Sequence, residues 1–529
     1  MNGTEDHARL TAGLSTDDAY PFEVDRVEVV GTLLSTVFLA GPLAYKVKKP
    51  VREPYLDYTT LDLRRYFCGR EVELNRRLAP DVYLGVVPVV RTSSGFRFEG
   101  EGEPVEYAVK MMRLPDDMMM DQLLKDGKVD AAQAREIASV VAGFHRRAGG
   151  GQAVDRNAEP GRLASQCNED ISELEAFTGR TISAAGLDYL KSFFSEWEQQ
   201  HIHLLEKRVT EARIRDCHGD MHSRNICLPG RVVIFDCIEF NDDFRFIDVA
   251  REVAFLAMDL EQHCRPDLSR AFTGRYLEAS GDTGLTGVAV FYKAWLAMIR
   301  GKVHSAALGD PMMHPRERTL NLLGARRYLE FARLYAGGQR APLVLVLSGP
   351  TGSGKSVLAR ALCTRLGAHH LDSDYVRKSL AGMDPRKPAP SPPGEGIYSP
   401  EMTGRVYDSL AEAAAAMNAA GLAVIVEASF GLESQRARFL EQAFTRGFPV
   451  LMVYCTCSKK TLHQRLELRK KEDPGYSDGR AEILNWQIEN FQPPDEIPGE
   501  MLLRLDTEAP LEELAGMVEG RARTCFETC

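Results

Sequence analysis

Leu343-Val344-Leu345-Val346-Leu347-Ser348-Gly349-Pro350-Thr351-Gly352-Ser353-Gly354-Lys355-Ser356 decides how the C-terminal part of this chain folds. The unbroken apolar run Leu343 to Leu347 reads as a short strand covered on both faces, as strands of parallel sheets are. The turn after it meets the P-loop pattern G-x-x-x-x-G-K-[ST] at every fixed position: Gly349, Gly354, Lys355 and Ser356. Beyond the turn, Leu358, Leu362 and Leu366 recur at helical spacing, and Gly367 stands where the helix would be capped. Strand, glycine turn and helix make a cradle for phosphate. Backbone N–H groups must approach phosphate oxygens closely, which Gly352 and Gly354 permit. The helix aims the positive end of its dipole at the same point, Lys355 adds charge for the outer phosphates, and the Ser356 hydroxyl can complete a Mg²⁺ shell. Gly349, Pro350, Thr351, Gly352, Ser353, Gly354, Lys355 and Ser356 are therefore expected to bind ATP, with Ser356 also on the metal. The competing reading is a glycine-rich turn that holds no ligand.

Downstream, strands near 422 to 426, 450 to 454 and 501 to 505 alternate with helical segments, which predicts a parallel α/β domain with a Pro-rich loop from Pro385 to Pro393. Upstream, strands near 23 to 47 and 84 to 112 precede mostly helical sequence, which predicts an α+β domain. Gly337-Gly338-Gln339-Arg340-Ala341-Pro342 separates the two, giving domains 1–338 and 339–529.

A chain of 529 residues, 44% hydrophobic and 26% charged, has material for more than one core and lacks the polarity of disorder. The net charge of -10 argues against nonspecific nucleic-acid binding by the whole surface. The eleven cysteines are dispersed with no disulfide-framework spacing; Cys455 and Cys457 read as the end of a buried strand rather than half a zinc site. A reduced cytoplasm is the expected compartment. Val29 to Tyr45 carries no charge, but Gly41-Pro42 interrupts it, so two strands, Leu33 to Ala40 and Leu43 to Val47, are expected there and no membrane span.

The second informative stretch is Cys217-His218-Gly219-Asp220-Met221-His222-Ser223-Arg224-Asn225. It keeps the spacing H-x-D-x-x-x-x-N of the kinase catalytic loop, with Gly in place of Arg. In such a loop Asp220 accepts the proton of an incoming hydroxyl and Asn225 turns back toward a metal between phosphates. Val232-Val233-Ile234-Phe235-Asp236 then supplies an apolar run ending in the second metal carboxylate, Asp236. His222 either holds the loop or meets substrate. His201 and His203 read as a packed or solvated pair.

His-Gly-Asp-x-His-x-x-Asn with the apolar run ending in Asp resembles the aminoglycoside phosphotransferase and choline kinase group, which has the protein-kinase-like fold. The resemblance implies that Asp220 is catalytic, that Asn225 and Asp236 hold metal, that Lys46 in Ala44-Tyr45-Lys46 grips the α and β phosphates, and that Glu71 is its partner. Lys48 and Lys49 compete for the lysine role; strand alternation puts Lys48 on the face of Lys46 and Lys49 on the other. No G-x-G-x-x-G loop is present.

In the C-terminal domain, Asp372-Ser373-Asp374-Tyr375-Val376-Arg377 resembles the acceptor-side motif of P-loop kinases such as polynucleotide 5′-hydroxyl kinases. That resemblance makes Asp374 the base and Arg377 its companion, with Asp372 a helix cap. Glu427, ending Val424-Ile425-Val426, stands where related kinases put a Walker-B Asp. Arg465 and Arg469, four apart on one helix face, resemble lid arginines that stabilise the transferring phosphate, the competing reading being a solvated basic face that Lys470 and Lys471 extend; Tyr476-Ser477-Asp478 through Gln487 to Pro493 resembles the tail of that lid. Nearly the entire chain resembles bacterial fusions of an aminoglycoside-phosphotransferase-like domain to a P-loop kinase or ATPase domain, sharply at both motif clusters and loosely at the first thirty residues, the middle helices and the last twenty residues. The resemblance implies ATP and Mg²⁺ as cofactors and hydroxyl acceptors: a small polyol or amino sugar for the first domain, a small metabolite or nucleic-acid 5′ end for the second. A nucleotide sensor regulating its neighbour is the alternative for either domain.

Overall fold

Val344–Ser348 is the middle strand of a five-stranded parallel sheet ordered His369–Asp372, Val424–Glu427, Val344–Ser348, Val450–Thr456, Leu502–Asp506. The computed structural model describes residues 3–337 except 94, 343–469 except 386, 388, 390, 393 and 420, and 481–525. The expected boundary at 338/339, parts of the Pro385 to Pro393 loop and Tyr476 to Asp478 lie outside the described residues, as does the Arg469 side chain.

Two compact units form, neither continuous in sequence: Met1–Gln166 with Trp197–Leu260 and Asp267–Lys293, and Cys167–Glu196 with Glu261–Pro266 and Ala294–Cys529. In the second, all five residues of the P-loop strand are buried, as the unbroken apolar run requires. Val344, Val346, Val424, Val426 and Met452 pack with Leu410, Phe430, Phe439 and Leu323. Leu323 belongs to helix Pro315–Tyr335, so this core extends upstream of the P-loop strand. On the same helix Arg326 lies 3.6 Å from the Phe444 ring and bonds Glu441 at 2.7 Å. The chain leaves Val344–Ser348 toward one edge of the sheet, returns through Val424–Glu427 and crosses to the other side, which makes the carboxyl end of the P-loop strand the switch point where α/β sheets open a crevice.

The first unit carries a six-stranded antiparallel sheet ordered Val27–Gly31, Ser35–Ala40, Leu43–Lys48, Pro104–Met112, Tyr83–Arg91, Phe96–Phe98. The uncharged stretch at 29 to 45 thus forms strands, and among the described residues no helix is long and apolar enough to cross a membrane. Helix Leu61–Asn75 packs on this sheet through Cys68 and Val72, capped at its start by the Thr60 hydroxyl. The rest is mostly helical, with two-stranded pairings of Ile214–Asp216 with Phe246–Asp248 and of Ile226–Cys227 with Val233–Ile234. These short ladders fix the segment 217–225 between them.

Arg208 ties this region together. Its side chain is 2% exposed and forks onto Asp248 and Asp282, themselves 1% and 0% exposed. Removing one partner of a buried charge cluster strands the others, so Arg208→Met is expected to destabilise the protein by about 3–5 kcal/mol. A fall in the urea unfolding midpoint reads this directly; an unchanged midpoint contradicts it.

Candidate active sites

In the first unit Lys46 leaves its strand with Nζ 2.9 Å from Glu71 Oε1 and 2.6 Å from Asp236 Oδ1. Lys48, one alternation further on, meets the other Glu71 oxygen at 2.7 Å and also bonds Glu239. Glu71 therefore serves two lysines on one face, and Lys46 is the one that reaches Asp236. Burial pulls both ammonium groups down, but Asp236, Glu71 and Glu239 around Lys46, and Glu239 and Glu71 around Lys48, raise both well above the usual lysine range. Burial raises Glu71, yet the two lysines hold it at about 2. Lys46, Lys48 and Glu71 are thereby held in their charged forms.

Asp236 sits at φ 63°, in the left-handed region that Asp tolerates better than most residues, and its N–H donates to the Tyr83 hydroxyl at 3.1 Å. Asn225 Nδ2 donates to the Asp220 carbonyl at 2.9 Å and to Asp220 Oδ2 at 3.1 Å, leaving its amide oxygen for a cation. The Phe235 N–H donates to the Asn225 carbonyl at 3.0 Å, and the His218 ring bonds the Phe235 carbonyl at 2.9 Å. Asp220, Asn225, Asp236, Lys46 and Glu71 are thus brought into one cluster. Gly219 explains the missing arginine: it lies at φ 88°, where a Cβ would stand 2.7 Å from the Phe244 carbonyl oxygen. His222 Nδ1 accepts the Arg224 N–H and its Nε2 lies 3.3 Å from Asp220, so it holds the loop.

Two carboxylates absent from the sequence-based expectations also anchor this loop. Glu252 Oε1 accepts the N–H groups of His218 and Gly219 at 2.7 Å each, while its other oxygen bonds His145 at 2.7 Å. Asp259 accepts the Ser223 N–H at 2.8 Å. The available signal was Glu252 and Asp259, seven apart and hence on one face, flanking the apolar run Val253 to Met258 in helix Val249–Gln262.

In the second unit Gly349, Gly352 and Gly354 adopt φ of 139°, 81° and 85°. A Cβ on Gly349 would stand 2.3 Å from the Cys455 carbonyl oxygen, so no larger residue fits this turn. Helix Lys355–Leu366 begins at Gly354 and closes on Gly367 at φ 60°. Lys355 Nζ donates to the Gly349 and Pro350 carbonyls at 2.9 Å each, and the Ser356 hydroxyl donates to Glu427. Among the described residues the buried Ser353 hydroxyl has no hydrogen-bond partner, and the Thr351 N–H donates to Gln487 Oε1 at 2.7 Å. The glycine geometry, the unpartnered hydroxyl and the Ser356–Glu427 pair fit a Mg²⁺-triphosphate.

Register brings Asp372 and Leu347 to either side of Glu427 at the carboxyl edge of the sheet. His370 lies 2.9 Å from Glu427. Burial lowers the His370 pKa and raises that of Glu427, but their mutual bond reverses both shifts. Asp372 caps helix Ser373–Leu380 by accepting the N–H groups of Asp374 and Tyr375, as expected. A cavity of about 980 Å³ is lined by the P-loop, Asp374, Arg377, Glu427, Arg465 and Trp486. Arg377 lies 3.9 Å from Asp374 while its guanidinium bonds the Ile397 carbonyl at 2.9 Å and Thr403 Oγ1 at 3.1 Å. Arg465 bonds the Thr507 carbonyl at 2.6 Å and Thr507 Oγ1 at 2.9 Å.

The fold and the motifs define a chain that couples an AAA domain, matched by a family model over residues 344–494, to a separate α+β unit. It is 31% identical over 472 residues to the uncharacterized protein Rv2004c of Mycobacterium tuberculosis (strain ATCC 25618 / H37Rv), covering 88% of this chain and 91% of that one. The chain belongs to the same family as that mycobacterial protein. Among solved structures it is similar to a choline/ethanolamine kinase family protein from Mesorhizobium loti, at 13% identity and a TM-score of 0.35 over 63% of this chain and 100% of that one. It is also similar to a gluconokinase from Sinorhizobium meliloti 1021, at 20% identity and a TM-score of 0.26 over 35% of this chain and 95% of that one.

Proposed function

We propose that the chain is an ATP-dependent phosphotransferase with two Mg²⁺-nucleotide sites, one in each unit, each moving a γ-phosphoryl group to a hydroxyl by in-line displacement. One observation carries the reading: each unit brings a lysine, a pair of oxygen-bearing side chains and a further carboxylate to one place, as a phosphate grip, a cation site and an acceptor base would require. In the first unit these are Lys46, Asn225 with Asp236, and Asp220; in the second, Lys355, Ser356 with Glu427, and Asp374. In the first cluster the side chains of Asp236 and Asp220 are 45% and 35% exposed, whereas Glu71 is 0% exposed. The acids that would meet ligand face solvent, and the carboxylate that would hold the lysine does not. The acceptor proposed for the first unit is a small polyol or amino sugar, and for the second a small metabolite or nucleic-acid 5′-hydroxyl. The fold alone does not imply antibiotic resistance.

A second reading makes the C-terminal site a nucleotide sensor. It is favoured by the commitment of Arg377 and Arg465 to backbone carbonyls, since both must turn to reach a transferring phosphate. The test uses the full chain, because the P-loop unit includes residues 294–337 and a cut at 338 would strip them from it. With γ-labelled ATP, each of sugars, aminoglycosides and 5′-hydroxyl oligonucleotides is offered as acceptor. Two kinases give acceptor-dependent label transfer of which one part is lost with Asp220→Asn and another with Asp374→Asn. Turnover that needs no acceptor and ignores Asp374→Asn supports the sensor.

The Gln487 contact sets a further expectation. Its amide oxygen holds the Thr351 N–H that a phosphate oxygen would take. Gln487→Ala removes this competitor, and a hydrogen bond of net worth about 1 kcal/mol corresponds to roughly five-fold tighter ATP binding at the C-terminal site. Calorimetric titration reads the change; weaker binding would mean that Gln487 assists the nucleotide instead.

A further inference from the structure

Arg327, on helix Pro315–Tyr335, is 6% exposed, and its guanidinium faces two sulfurs. Nη2 lies 3.3 Å from Cys264 Sγ and donates to the Gln262 and Cys525 carbonyls at 3.0 Å each; Nη1 lies 3.8 Å from Cys525 Sγ. Both thiols also approach one acceptor, the Glu500 carbonyl, at 3.8 Å and 3.4 Å. Cys264, Cys525 and Glu500 are the anionic or ionisable groups that meet the buried Arg327 charge, and a cation this close to a thiol favours its thiolate. The hydrogen bond from the Cys264 thiol, supported by the Arg327 and Arg521 charges, brings Cys525 down to about 6 against the effect of burial. The same bond raises Cys264.

We propose that Cys264 and Cys525 are a reversible oxidation site, closing to a disulfide on exchange with a small-molecule disulfide of the glutathione class. The Cys525 thiolate attacks one sulfur of the reagent, the reagent S–S bond breaks, and one small thiolate leaves. Cys264 then gives up its proton and attacks the Cys525 sulfur of the mixed disulfide, releasing the second small thiol. Two protein thiols are oxidised, and one reagent disulfide is reduced to two thiols. Both sulfurs are buried, so the step waits on opening of the last turn of helix Leu511–Thr524, and helix ends open at low free-energy cost.

The link would fasten the end of a helix that bears on the C-terminal site. Arg365 of the P-loop helix pairs with Glu512 and Glu519 of helix Leu511–Thr524, and Leu511 and Leu514 line the cavity.

The test reads thiols, not activity, so its failure is separate from failure of the proposed function. Full-length protein is equilibrated with excess oxidised glutathione, quenched with an alkylating reagent, digested and mapped by mass spectrometry. The expected result is loss of two of the eleven thiols, a Cys264–Cys525 linked peptide, and full return with a reductant. Cys264→Ser, nearly isosteric, is expected to accumulate glutathione on Cys525 instead. Absence of the linked peptide in the wild type, or a mixed disulfide persisting on wild-type Cys525 as it does in Cys264→Ser, overturns the proposal.

Discussion

Asp220→Asn is expected to lower acceptor-dependent transfer at the N-terminal site by about 10²–10⁴-fold, the range over which a positioned general base contributes. The substitution keeps shape and leaves an oxygen for the Asn225 amide, which also holds the Asp220 backbone carbonyl. Lys46, Glu71 and Asp236 are untouched, so ATP affinity at this site stays within about two-fold while turnover falls. Initial rates with saturating ATP, beside equilibrium ATP binding, separate the two quantities. Loss of binding without selective loss of turnover would make Asp220 a structural residue and remove the base from the N-terminal half.

Lys355→Ala is expected to cut turnover at the C-terminal site by about 10²–10³-fold, the cost of removing one preorganised donor from a developing charge. Lys355 as a residue is 9% exposed, and its ammonium bridges two carbonyls of its own loop and would turn from them to the phosphates. Its charge also helps to hold the Glu427 carboxyl below the usual range, after the His370 bond. Nucleotide binding at this site should therefore weaken together with turnover, while the N-terminal activity persists. Retained turnover would show that the P-loop does not handle the reacting phosphate.

How much of this was legible in the sequence depended on range. The P-loop strand and helix were legible because one short segment carries an apolar run, the glycines and the helical repeat, and the other parallel strands announced themselves as runs such as Val450 to Val453. The hairpin at 35 to 48 followed from the charge-free stretch broken by Gly41-Pro42. The strand pattern could not choose between Lys46 and Lys48, because alternation turns both to one face; only the family resemblance favoured Lys46, and the fold adds that both share Glu71. Glu252 and Asp259 were missed for a similar reason: a carboxylate on an apolar helix declares a buried partner but not which loop supplies it. Nor could helical periodicity assign residues 294–337 to the P-loop unit, since an apolar face does not specify the core it joins. Arg377 was legible as a neighbour of Asp374 but not as a donor to the Ile397 carbonyl, which depends on loop geometry.

The most direct test of the central claim is the stoichiometry of nucleotide binding to the full chain, measured by calorimetric titration with a non-hydrolysable ATP analogue and Mg²⁺. The account predicts two sites per chain, of which Lys355→Ala weakens one past detection in this titration and Lys46→Ala the other. A single site in the wild-type protein, or two sites of which both survive Lys46→Ala, would contradict it.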